Sequence, residues 1–105
     1  MKRFLIAGAI VVATAGAAMA AGTETVDQKN LKFSVPALKV GKGDVVVFTN
    51  NDDTQHNITI SGDGFSVSSG MQPPGKDFKV PMVKPGTYRV TCGIHPNMKM
   101  VLVVE

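Results

Sequence analysis

Apolar and polar residues alternate along most of this chain, and the period is two rather than the 3.6 of a helix. Leu31, Phe33 and Val35 alternate with Lys32 and Ser34, and after Pro36 the pattern resumes at Leu38 and Val40. Gly41-Lys42-Gly43-Asp44 then reads as a turn. Residues 45–49 form a β-branched and aromatic run, closed by the turn Asn50-Asn51-Asp52-Asp53. Residues 56–60 read as the next strand, 61–64 as a loop and 65–68 as a brief strand. Phe78, Val80 and Met82 alternate once more, and Pro81 inside that run marks an edge strand or its end. Past the turn at Lys84-Pro85-Gly86, strand parity puts Tyr88, Val90 and Cys92 on one face and Arg89 and Thr91 on the other. The apolar residues 101–104 close the chain as a strand. Seven to eight short strands separated by turn signals predict an all-β sandwich or barrel, preceded by a loose polar arm over residues 21–24.

The first 20 residues break this pattern. Met1-Lys2-Arg3 is a cationic start, residues 4–17 carry no charge, and Ala18-Met19-Ala20 has the small-x-small form of a cleavage site. The apolar run is rich in Gly and Ala and short for a membrane span, which favours a cleaved export signal over an anchor. The expectation is a signal peptide over 1–20, cleaved near Ala20, and a single domain over 21–105 with no membrane association afterwards.

Charge and cysteine count narrow the function. The whole chain carries +3, but setting aside Lys2 and Arg3 leaves nine basic against eight acidic residues. A surface so near neutrality offers no basic face for nucleic acid. The single Cys92 cannot form an internal disulfide, so an exported fold of this size rests on its apolar core alone.

Both histidines and that cysteine fall at two places. His56 follows the Asn/Asp-rich turn, while Cys92, His95, Met98 and Met100 share the loop between the last two strands. One thiolate, two imidazoles and a thioether make a soft-to-borderline donor set. Two His and one Cys with a weak axial Met is the arrangement of a one-electron copper site. Zinc favours four strong ligands, or three and an open position, and a thioether serves it poorly. Either Met98 or Met100 has the reach to act as the axial donor. Cys92 and His95 also suggest a thiol nucleophile and its base, but no carboxylate or Asn except Asn57 is evidently placed to orient the imidazole, and four filled coordination positions leave no place for substrate, so the chain is read as a non-enzyme.

The Cys-x-x-His-Pro-x-Met spacing of Cys92, His95, Pro96 and Met98, with Gly86-Thr87-Tyr88 ahead of it and Lys99 and a Val-Val-Glu ending after it, resembles the cupredoxins, the type 1 blue copper proteins. Within them it is most similar to the amicyanin group, with pseudoazurins and plastocyanins next. His56-Asn57 resembles the family's upstream ligand. The resemblance implies a Greek-key β-sandwich with one copper ion held by His56, Cys92, His95 and Met98, and with His95 as the electron port. It implies a monomeric periplasmic carrier that takes an electron from a dehydrogenase and passes it to a cytochrome or reductase. Copper storage or delivery, through a cuprous surface of Met71, Met82, Met98 and Met100, is the alternative. Ile94 stands where these families often carry proline, and its N–H is expected to reach the Cys92 sulfur. Asn57 is expected to brace the ligand loop and Tyr88 to bond the backbone at a corner.

Overall fold

The structure, a computed structural model, describes residues 22–105; the expected signal peptide lies outside them. Among the described residues nine strands form two sheets. They are β1 (Thr23–Lys29), β2 (Lys32–Phe33), β3 (Ala37–Val40), β4 (Val45–Asn50), β5 (Ile58–Gly62), β6 (Phe65–Ser68), β7 (Phe78–Pro81), β8 (Gly86–Cys92) and β9 (Lys99–Val104). One sheet runs β3-β9-β8-β5-β6 and the other β2-β1-β4-β7, so the chain passes repeatedly from sheet to sheet and pairs strands distant in sequence. β3 with β9 and β1 with β4 run parallel; the other pairs are antiparallel. Among the described residues no helix is long and apolar enough to cross a membrane.

The core forms where the inward faces of the two sheets meet. Val26, Val46, Phe48 and Val80 from one sheet pack against Ile58, Ile60, Tyr88, Val90, Met100, Leu102 and Val104 from the other. Phe33 and Phe48 meet edge to face at 6.4 Å, as do Phe65 and Tyr88 at 5.4 Å. The Tyr88 hydroxyl donates to the Lys84 carbonyl, the corner expected for it. Pro81 ends β7, an edge strand, where a missing N–H costs no ladder bond. Gly62 belongs to β5 rather than to the following loop. A Cβ there would stand 2.5 Å from the Thr87 carbonyl oxygen, so only glycine lets β8 come this close.

The sequence reading fails at the start of the domain. Residues 23 and 24, expected in the arm, instead open a full strand over 23–29, and the expected strand around Leu31, Phe33 and Val35 shrinks to the two residues of β2. Only Val26 and Gln28 of β1 are buried, and Gln28 is polar, so the alternation there is too faint to register. Asn30 and Leu31 both have positive φ, 55° and 60°, and make the tight turn that pairs Lys29 with Lys32. Leu31 is therefore an exposed turn residue and not a core position.

Candidate metal centre

At one end of the sandwich the two sequence segments converge. β8 carries Cys92 inward by the parity of Tyr88 and Val90, and the register Ile58↔Cys92 sets the residues before β5 against it. His56 lies on the crossover from β4 to β5 and is held by an isolated bridge to Gln72. After Cys92 the loop turns back through Gly93 and Ile94, and the Met98 N–H donates to the His95 carbonyl at 2.9 Å. These placements bring His56 Nδ1 and Cys92 Sγ to 3.6 Å, His95 Nδ1 and Cys92 Sγ to 3.6 Å, and the two Nδ1 atoms to 3.2 Å.

This triangle suits a metal ion. The point equidistant from its three corners lies about 2.0 Å from each, close to usual metal–imidazole bond lengths. His56 and Cys92 are buried and His95 half-buried. Lone-pair donors turned toward one another away from water are stable only around a shared cation or proton. Two nitrogens and one sulfur in near-trigonal array is the chemistry of a copper site.

Around the triangle His56 and Cys92 are each fixed by a further contact. Asp52 Oδ2 lies 3.0 Å from His56 Nε2, which places the ring proton on that nitrogen and frees Nδ1 as a donor. The same oxygen accepts the Leu31 N–H at 2.9 Å. That N–H, with His56 adding to it, holds the Asp52 carboxyl below the usual carboxylate range despite its burial. In the sequence Asp52 reads only as a turn residue; its spacing four before His56 is the signal that could find it.

The Asn57 N–H donates to Cys92 Sγ at 3.3 Å, and its carbonyl accepts the Gly93 N–H at 2.8 Å. The Asn57 side chain accepts from Ser68 Oγ at 3.0 Å. Asn57 thus braces the loop chiefly through its backbone. The donor on the sulfur is Asn57 and not Ile94: the bond from the Gly93 N–H to the Asn57 carbonyl carries the chain pairing just past the end of the β5–β8 ladder and aims the Asn57 N–H at Cys92.

The two candidate thioethers separate cleanly. Met100 alternates with Leu102 and Val104 on the inward face of β9 and belongs to the apolar core. Met98 is also buried, but it lies outside that core and lines a cavity with Ile94, His95 and Pro96. Met82 is buried too, so Met71 alone among the four is exposed, and the cuprous methionine surface of the storage reading does not form.

Known proteins match both chain and fold. The cupredoxin-like domain family matches residues 2–104. Amicyanin-alpha of Methylorubrum extorquens is 32% identical, with all of both chains covered. The chloroplastic plastocyanin of Silene latifolia is 30% identical over 90% of this chain and 68% of its own. A solved structure of a reduced amicyanin variant superposes with a TM-score of 0.73 at 29% identity, covering 83% of this chain and 86% of that one. Sequence and fold agree, and the chain belongs to the cupredoxin-like family.

Proposed function

We propose that the protein is a one-electron carrier that holds a single copper ion through His56, Cys92, His95 and Met98. The observation that carries this reading is the buried triangle of His56 Nδ1, Cys92 Sγ and His95 Nδ1, with sides of 3.2–3.6 Å. Bound copper supplies a Cu(II)/Cu(I) couple. The chain supplies a holder that changes little between the two states. Asp52 keeps His56 in one tautomer, and the Asn57 N–H draws density from the Cys92 sulfur, which favours the reduced metal. His95 is half-buried beside exposed Pro96 and is the route by which an electron enters and leaves. Met98 would supply the fourth, thioether donor, because Met100 is committed to the apolar core.

The carrier is exported to the periplasm behind a signal cleaved near Ala20 and works as a monomer. Its similarity to amicyanins supports a dehydrogenase as donor and a cytochrome or reductase as acceptor. Copper titration with visible and EPR spectroscopy tests the whole reading. The wild-type protein should take up one ion, turn intensely blue when oxidised and cycle without losing it. Met98→Leu should alter the spectra, while Met100→Leu should leave them unchanged. A colourless protein, or spectra that respond to Met100 and not to Met98, would refute it.

A further inference from the structure

His56 sits on the crossover between β4 and β5; Asp52 holds its ring, and an isolated backbone bridge to Gln72 holds its main chain. Each residue donates its N–H to the other's carbonyl, at 3.0 and 2.7 Å. Gln72 is 2% exposed and every polar atom of its side chain is engaged. Nε2 donates to the carbonyls of Phe48 at 3.0 Å and Lys76 at 2.6 Å, and Oε1 accepts from Gln28 Nε2 at 2.8 Å. The two carbonyls on Nε2 fix which way round the Gln72 amide lies. Its Oε1 then requires a donor, which fixes Gln28 in turn, with Nε2 also 3.3 Å from the Thr49 carbonyl. Among the described residues Gln28 Oε1 is left buried without a partner.

Buried Asn50 joins the same network. Its Nδ2 donates to the carbonyls of Gln72 and Thr54, and its Oδ1 accepts the Asp52 N–H. Gln28 and Phe48 belong to the four-stranded sheet, whereas Cys92 and the His95 loop extend from the five-stranded one. The amide network therefore fixes the height of His56 from the sheet opposite to the one that carries the thiolate.

A buried amide pair with one orphaned acceptor is a poor way to stabilise a core. It is a good way to fix a distance, because each bond is directional and each amide can lie only one way round. We propose that Gln72, with Gln28 behind it, is a positioning residue that sets His56 against the Cys92–His95 loop and so fixes the size of the donor triangle. The proposal rests on the copper reading above.

Gln28→Met removes the donor to Gln72 together with the orphaned oxygen. In the metal-free variant, amide exchange at His56 and Gln72 should quicken roughly tenfold, while Tyr88 and Leu102 exchange as in the wild type. Its unfolding midpoint should stay near the wild-type value. The copper-loaded variant should show an altered EPR hyperfine splitting, and Gln72→Leu a larger change in the same sense. Unchanged exchange at 56 and 72, acceleration shared by all core amides, or a loaded Gln28→Met spectrum identical to wild type would each overturn the positioning role. If the wild type is blue and only the variant spectrum fails to move, the positioning role alone is lost. A wild type that stays colourless refutes the copper reading and the proposal with it.

Discussion

Leu31 is the residue least at ease with its backbone. Its φ of 60° lies in the left-handed region, where a side chain crowds the following carbonyl, and the preceding Asn30 tolerates that region better. A two-residue hairpin turn of this kind usually places glycine second. The position does contribute an N–H to Asp52, and through it to His56, but any residue supplies that N–H. The Leu31 side chain is 48% exposed, so little burial is lost on removing it. Leu31→Gly should therefore stabilise the protein by about 0.5–1 kcal/mol, relief of the left-handed strain outweighing the extra chain entropy of glycine. In a domain of this size that is a rise of a few degrees in Tm. Thermal unfolding of the metal-free protein measures it, and a fall in Tm would show that the leucine side chain packs more than its exposure suggests.

Strands here are tied at their ends as well as along their ladders. Asp44, in the turn before β4, accepts the Gly22 N–H on Oδ1 and the Gly41 N–H on Oδ2, both at 2.8 Å. It thus joins the start of β1 to the end of β3. The Gly22 N–H first and the Gly41 N–H second hold this carboxyl below its ordinary value of 3.8. A carboxylate depressed in the folded state adds stability that is present above 3.8 and lost as pH falls through the folded value. Asp44→Asn should accordingly lower the urea midpoint at neutral pH, and the gap to wild type should close in acid. A gap that persists below the folded value would mean that geometry, not charge, makes the clamp. The clamp was invisible in the sequence, where Gly41-Lys42-Gly43-Asp44 announces a turn but not the partner 22 residues away. β8 was legible because one face is buried and the other wet, so the period of two survives in the text; β9 was legible instead as a continuous apolar run. β1 was not, since its buried positions hold one valine and one glutamine. The chemistry at His56, Cys92 and His95 was legible from residue type and spacing. Asp52, Gln28 and Gln72 were not, because amides and turn carboxylates are common and only three-dimensional pairing distinguishes these.

At the scale of the molecule, the donors and the core are separate. None of His56, Cys92, His95 and Met98 belongs to the main apolar cluster, which runs between the sheets from Val26 to Val104. A domain whose core is complete without the ion does not need the ion to fold, in contrast to small modules in which metal binding is the folding energy. Metal-free protein should therefore unfold in one cooperative transition. Copper, bound by the native arrangement and much less by the open chain, should raise the transition. At a free concentration a thousandfold above Kd the gain is about 4 kcal/mol. The gain comes from joining the β4–β5 crossover to the β8–β9 loop at one end of the sandwich, so it depends on the thiolate as well as the imidazoles. Cys92→Ala should retain a cooperative transition without copper and lose most of the shift with it. Calorimetry of both proteins with and without copper separates the two contributions. Absence of a cooperative transition in the metal-free wild type would mean that the apolar core alone does not hold the sheets together.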